Sequence, residues 1–310
     1  AGTIYGETVD DVTVATFISL EKGFTKIAFK DYTLASESES VGKSIANELN
    51  AKDLKHIFIL SEGLNINGSE LAAGFNNILA KDVRVTGGLA GDGTNFLNTY
   101  VIANDSAKKN RVVAIGFYGD SLSIRSGCFA GWDEFGSERV ITKSKGNVLF
   151  EIDGKPALEL YKSYLAEETS ELPASGLKFP ISIRKNNKDN PVIRTLLSID
   201  EDEQSIIFAG DVPEGYNCRL MKSNIDKLID NAGLAADQAK IKDIDAELCI
   251  AVSCVGRRIV LSQLVEEEIE SVKERLEDTT LITGFYSYGE LAPLEGLVEC
   301  ALHNQTMTLT

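Results

Sequence analysis

Near its C-terminal end the chain places Tyr286, Tyr288 and Glu290 at alternating positions in "FYSYGE". In an extended segment, alternation puts all three side chains on one face. Two aromatic rings and a carboxylate can hold an ammonium group by cation–π contact and charge. A pair of core tyrosines with satisfied hydroxyls is the structural alternative. Arg257 and Arg258 follow the apolar run "ELCIAVSC". At the carboxyl end of a buried strand, where α/β proteins bind ligands, a guanidinium presents a planar fork to a carboxylate. An ion pair with the Glu266–Glu268 run is the alternative there. His303, in "CALHNQT", is one of only two histidines, so an imidazole contact to a ligand rests almost entirely on it. Its alternative is a structural histidine fixing a turn with Asn304. His56, the other histidine, follows a charged turn and is expected to be exposed.

The segment "TGGLAGDG" (86–93) adds Thr86, Gly87, Gly88 and Asp92 to the candidates. Glycines after a strand permit positive φ and let a ligand approach the backbone. The segment is not GxxxxGK[ST], and a strand rather than a helix follows it, so neither a P-loop nor a dinucleotide fingerprint is present. A tight strand-to-strand connection is the alternative. Ser253 and Cys254 have no assigned base beside them, and no G-x-S-x-G elbow occurs. Binding rather than catalysis is therefore expected.

The elements that must position these residues come in a repeated order. In the first part, "VTVATFISL" (12–20) and "FTKIAFK" (24–30) read as a hairpin, then "SESVGKSIANEL" (39–49) as a helix. "KHIFIL" (55–60) reads as a strand and 68–80 as a helix capped by Ser69. "VRVTGGLAGDG" (83–93) is a strand into a glycine loop, and 98–119 a hairpin turning at "NDSAKKN". In the last third, 191–210 is a hairpin around "DEDEQ", and 216–233 a helix stopped by Gly233. Next come "ELCIAVSC" as a strand, 262–278 as an amphipathic helix and 280–290 as a strand into a glycine loop. Residues 297–309 close as two strands. "IFILSEG" aligns with "CIAVSCVG", and "VRVTGG" with "TLITGF". The expectation is an α/β (mixed α+β) fold of two homologous halves, 1–150 and 151–310, with mixed, largely antiparallel sheets flanked by helices. The opening "AGTIYGE" matches the closing "YSYGE", so the chain is expected to begin inside a loop whose incoming strand is missing.

The net charge of −16, from 47 acidic and 31 basic side chains, argues against nucleic acid or an anionic membrane as partner. No apolar run approaches the roughly 20 residues needed to cross a bilayer, and no signal peptide is visible. Five irregularly spaced cysteines without a CxxC read as reduced thiols in a cytoplasmic protein.

"SCVGRR" (253–258), "GFYSYGELAP" (284–293) and "HNQTMTL" (303–309) together resemble the C-terminal part of the FIST family. "VLFEIDGKPALELYKSYL" (148–165) is similar to its junction, and "AGTIYGE" and "TGGLAGDG" to loops of its N-terminal part. The resemblance implies a sensory domain that binds a small ligand, either an amino acid or haem with nitric oxide. It implies signalling through a partner such as a histidine kinase or a cyclic-dinucleotide enzyme. In the haem version His303 is the candidate iron ligand, with Cys254 or Cys300 left open, and an arginine takes a propionate. An interaction scaffold without a small ligand is the alternative function.

Overall fold

A computed structural model describes residues 2–104, 106–293 and 298–310; expectations that fall on Ala1, Asp105 and 294–297 lie outside it. The first part of the chain forms β1 (Thr3–Tyr5), β2 (Thr8–Val9), β3 (Phe24–Asp31), α1 (Ser38–Leu49) and β4 (Leu54–Ser61). It continues with α2 (Gly68–Asn76), β5 (Arg84–Ala90), β6 (Val101–Ile102), β7 (Ala107–Lys108) and β8 (Arg111–Tyr118). A middle part follows: β9 (Gly127–Phe129), β10 (Trp132–Lys145), β11 (Val148–Ile152), β12 (Lys155–Pro156) and α3 (Ala157–Leu165). It ends in the strands β13 (Ile181–Arg184), β14 (Val192–Arg194), β15 (Leu196–Asp200), β16 (Ser205–Phe208) and β17 (Asn217–Ser223). The last part is α4 (Ile225–Ala239), β18 (Leu248–Cys254), α5 (Val255–Leu261), α6 (Val265–Lys273), β19 (Leu281–Pro293), β20 (Cys300–His303) and β21 (Met307–Leu309).

The duplication is visible in the strand order of the main sheet, β3-β8-β4-β5-β19-β18-β21-β9. On one side of the centre, β4 runs parallel to β5 and antiparallel to β8. On the other side, β18 runs parallel to β19 and antiparallel to β21. The two halves meet where β5 and β19 pair antiparallel, with Glu290 opposite Gly88. Each half therefore contributes the same three-strand pattern to one shared sheet.

Side-chain alternation explains the layers. Along β4, Ile57 and Ile59 point to α1 and α2 and join a core with Val41, Ile45, Leu71 and Phe75. Phe58 and Leu60 point the other way, into a second core with Phe117, Ile250, Val252 and Phe285. That second core holds residues of both halves. The sheet curls until its inner sides touch: a Cβ at Gly88 would lie 2.6 Å from Val252 Cγ1, and Thr86 Oγ1 is 2.7 Å from Thr310 Oγ1. On the outer side of the C-terminal half, α4 and α6 cover Cys249, Ala251, Ile282, Met307 and Leu309. The arrangement is helix, half-sheet, half-sheet, helix.

A second sheet, ordered β14-β13-β17-β10-β11-β16-β15, packs its own core against α3. It is tied to the first by the Trp132 indole N–H donating to the Gln305 carbonyl at 3.2 Å and by Arg194 Nη1 donating to the Leu302 carbonyl at 3.0 Å.

Several local expectations are corrected. Residues 12–20 form no strand, and β3 pairs only with β8, because neither face of 12–20 is buried enough to favour a ladder. The expected hairpin over 98–119 is instead a two-stranded β6–β7 ribbon, and β8 leaves it to lie between β3 and β4. The segment 216–233 is a strand and then a helix: β17 ends before Asn224, whose side chain caps α4 at Lys227 N. Gly233 lies inside α4, where a Cβ would meet Ser271 Oγ at 2.7 Å, so it serves the close crossing of α4 and α6. Helix α2 is capped by Asn67, not Ser69; its side chain accepts from the backbone N–H of Ser69 and Glu70. Helix α6 spans 265–273, shorter than 262–278.

Candidate functional site

A cleft of about 940 Å³ lies at the carboxyl ends of β5 and β18. One wall is the glycine loop after β5, with Gly91, Gly93 and Thr94. The opposite wall is α5, with Val255, Arg258 and Ile259, and Ser262 just after it. Phe285 and Tyr286 of β19 form its floor, and Gly2, Thr3 and Val9–Val12 close a side. β5 and β18 run in opposite directions, and both end against the middle of β19, Ala90 and Cys254 each opposite Ser287. The loop after β5 and the helix after β18 diverge there and leave the crevice. Gly2 has φ +97°, and a Cβ there would meet Arg258 Nη1, so backbone and guanidinium approach closely.

Arg258 is the cationic group of this cleft. Its Nη2 pairs with Asp10 Oδ2, and its guanidinium carbon stands 4.9 Å from the centroid of the Tyr286 ring. The hydrogen bond from Arg258 holds the Asp10 carboxyl below its ordinary range. Tyr286 is buried; burial, then the nearby Glu268 charge, raises its pKa, and its hydroxyl lies 2.9 Å from Thr8 Oγ1.

The neighbouring Arg257 is turned into the protein. Its Nε and Nη2 donate to Glu268 Oε2 at 3.1 and 3.0 Å, its Nη2 also to the Leu228 carbonyl at 2.7 Å, and its Nη1 to the Ala130 carbonyl. Ser253 Oγ donates to the other oxygen of Glu268 at 3.1 Å. Thus the two consecutive arginines diverge. A ligand can reach Arg258, whereas Arg257 carries the ion pair with the acidic run of α6.

The expectation that Tyr286, Tyr288 and Glu290 share a face is corrected. The β5–β19 register shifts between Ser287 and Gly289, and this bulge breaks the alternation. Ser287 and Glu290, three apart, hydrogen-bond to each other, which a regular strand does not allow. Tyr288 instead donates to Asp92 and, at 2.9 Å, to the Gly93 carbonyl, and stacks on Phe96 at 4.7 Å. Asp92 accepts the backbone N–H groups of Phe96, Leu97 and Asn98. Burial pushes its carboxyl upward, but these bonds and Tyr288 outweigh it and hold the pKa low. Asp92 and Tyr288 thus set the shape of the glycine wall and do not line the cleft.

Glu290 has no exposed surface; Thr306 donates to its Oε2 from N at 3.2 Å and Oγ1 at 2.9 Å. Burial raises its pKa to about 8 despite these bonds. His303 is paired across the ladder with Glu290, is itself buried, and its Nε2 lies 3.2 Å from the Ala292 carbonyl. Burial lowers its pKa to about 4. Thr86, Gly87 and Gly88 are buried within β5, with Thr86 Oγ1 2.8 Å from His56 Nε2. His56 is buried, not exposed, because β4 is covered on both faces.

Of the ten sequence candidates, Arg258 and Tyr286 come together in the cleft. The loop Gly91–Thr94, Asp10 and α5 complete it. Asp10 lacked any local signal, since its role exists only through Arg258.

The profile of the FIST N domain matches residues 1–155, and that of the FIST C domain residues 157–293. The chain belongs to the FIST family. FIST domains are sensory domains of signal transduction. This FIST chain is similar to an uncharacterized protein, MJ1623, of Methanocaldococcus jannaschii, with 24% identity over 291 residues, covering 81% of this chain and 54% of that protein. It spans about half the length of that relative. Among the described residues of the FIST chain, no helix is long and apolar enough to cross a membrane.

The residues do not fit a haem held through His303, Cys254 or Cys300. All three side chains are buried outside the cleft, and no histidine or cysteine lines it.

Proposed function

We propose that this chain is the ligand-binding part of a cytoplasmic signalling system, and that its ligand is a free amino acid held in the cleft over Tyr286. The observation that carries this reading is the Arg258–Asp10 pair at the cleft wall. A zwitterion offers each of these groups a partner: its carboxylate meets the Arg258 fork, and its ammonium meets Asp10 and Asp11. The apolar side chains of Val9, Val12, Ile259 and Phe285 line the same space and suit an aliphatic or aromatic side chain. A cleft volume of about 940 Å³ is ample for such a ligand. Five cysteines, all free thiols, agree with a reducing compartment. The bound state is passed to a partner module such as a histidine kinase or a cyclic-dinucleotide enzyme.

The test is a thermal-shift screen of the purified chain against the amino acids, with an absorption spectrum taken alongside. A concentration-dependent rise with one amino acid, lost in Arg258→Gln, supports the reading. A flat response across the panel, or a Soret band that disappears in His303→Ala, overturns it.

A further inference from the structure

Helix α4 is shared between the two sheets, and a second cavity opens where it leaves one of them. Leu228, in its first turn, packs with Trp132, Ile193 and Met221 of the second sheet. Further along, Ala232, Ala235 and Ala236 pack with Met307 and Leu309 of the main sheet. Beyond Leu228 the helix and the second sheet therefore diverge, and a wedge of about 660 Å³ is left between them. Where they meet, Gly131, with φ +106°, passes under the start of α4; a Cβ there would lie 2.6 Å from the Lys227 carbonyl oxygen. The wedge and the cleft share no lining residue. Helix α5 reaches both: Arg258 lines the cleft, and Arg257 donates to the carbonyl of Ala130, which lines the wedge.

The sheet side of the wedge is apolar: Trp132, Ile193, Met221 and, before β14, Pro191. The indole N–H of Trp132 is already given to Gln305, so the ring offers this space carbon surface. The helix side carries Lys227, Asp230, Asn231 and Leu234, at helical spacing and so on one face of α4. Leu234 is 40% exposed, an apolar side chain with the cavity in front of it. Two cations line the space, and both are engaged: Lys227 with Asp133, and Arg275 Nη1 with Asp237 Oδ2 at 2.8 Å. Among the described residues, the Asp230 carboxylate and the Asn231 amide have no side-chain hydrogen bond or ion pair. The free polar groups are thus a carboxylate and an amide, in a chain with net charge −16.

A carboxylate on the rim of an apolar space attracts a cation, and the negative potential of the whole surface adds to it. An ammonium donates to a carboxylate in a charge-assisted hydrogen bond, and an amide oxygen accepts a second N–H. We propose that the wedge between α4 and the second sheet is a binding site for a primary amine with an aromatic-sized apolar body. The ammonium lies on Asp230 and Asn231, and the body lies between Leu234 and the floor of Trp132, Ile193 and Met221. The site is independent of the cleft and does not rest on the amino-acid reading. A free amino acid suits it poorly, because its carboxylate adds a negative charge beside Asp230.

Trp132 is the only tryptophan of the chain, so its fluorescence reports from this cavity. The purified chain is titrated at neutral pH and constant ionic strength with phenethylamine, phenethyl alcohol and hydrocinnamate. These three share an apolar body and differ in charge. The amine should change the emission saturably and bind about tenfold tighter than the alcohol, the worth of one charged hydrogen bond. The carboxylate should bind weakest. Asp230 is exposed, so Asp230→Asn should melt with the parent, and it should bind amine and alcohol alike. Leu234→Ala should weaken both about fivefold. Arg258→Gln should change neither, which separates this site from the cleft. Equal binding of amine and alcohol by the parent would mean an apolar groove without charge recognition and overturns the proposal. So does tightest binding of the carboxylate, a surviving amine preference in Asp230→Asn, or no saturable response to any of the three. The comparison of the three compounds on the parent chain decides even if a variant is destabilised.

Discussion

Arg257 and Glu268 form an ion pair with no exposed surface, Nη2 to Oε2 3.0 Å. The guanidinium also donates to the carbonyls of Ala130 and Leu228, so one side chain joins α5, α6, α4 and the chain entering β10. Burying two charges is costly, and here the cost is offset by complete pairing: every nitrogen of Arg257 has an acceptor. Glu268→Gln keeps the shape and removes the charge. It should cost about 3–5 kcal/mol, because Arg257 is left buried without a counter-ion. Urea unfolding checks this, and a loss below about 1 kcal/mol would show the pair to be marginal.

Glu290 makes stability depend on pH in an unusual direction. Its folded pKa, about 8, lies above the ordinary 4.5, so the folded state holds this proton more tightly than the unfolded state. The contribution is complete below about pH 4.5 and is lost as pH rises toward 8. Glu290→Gln imitates the protonated form. The variant should match the parent near pH 5 and exceed it near pH 8, by on the order of a few kcal/mol. Urea midpoints at the two pH values measure the difference; equal midpoints at pH 8 would refute the assignment.

The two histidines act with the opposite sign. Both are held neutral by burial, with pKa values lowered to about 3 for His56 and about 4 for His303. Their unfolded forms take up protons below pH 6.5, so stability falls as the solution is acidified from there toward pH 4. His56→Gln should make the acid side of the stability profile shallower. An unchanged slope between pH 6.5 and 4 would mean that His56 is not held neutral.

Arg258→Gln should separate binding from folding. Its partner Asp10 is more than half exposed, so the ion pair contributes at most about 1 kcal/mol. The melting temperature without ligand should hardly move, while the amino-acid response disappears. A large drop in unliganded stability would make Arg258 a structural residue.

Gly88 sits where the two half-sheets pack closely. A valine there would drive its side chain into Val252 and Phe285. Overpacking of this kind costs about 1–3 kcal/mol, and the same change at the loop glycine Gly93, where a Cβ meets nothing within 4 Å, lacks the steric term. Gly93 has φ +76°, so its variant reports backbone strain alone. Thermal unfolding of Gly88→Val and Gly93→Val compares the two effects.

Period and repetition were enough to read the main elements and the duplication, while the family was legible only through the resemblance of motifs such as "SCVGRR" and "GFYSYGELAP". "SESVGKSIANEL", "KHIFIL" and "ELCIAVSC" carry their structure locally, in helical spacing or in unbroken apolar runs. The failures were places where local pattern and tertiary burial part company. "YNCRLMKS" reads as continuous with the helix after it, yet its ladder with β10 makes it a strand. His56 sits among charged neighbours, yet both sides of β4 are covered.

The sequence alone determined which segments repeat and which residue types stand after each strand, because strand and helix periods are properties of adjacent residues. The tertiary structure alone decided which of those residues meet. Arg257 and Arg258 are adjacent and chemically identical, yet α5 turns one toward Glu268 and the other toward Asp10, 248 residues away. One bulge in β19 sends Tyr286 to the cleft floor, Tyr288 to Asp92 and Glu290 to Thr306. Register and sheet curvature depend on strands distant in the chain, and they determine which polar groups are solvated and which are enclosed.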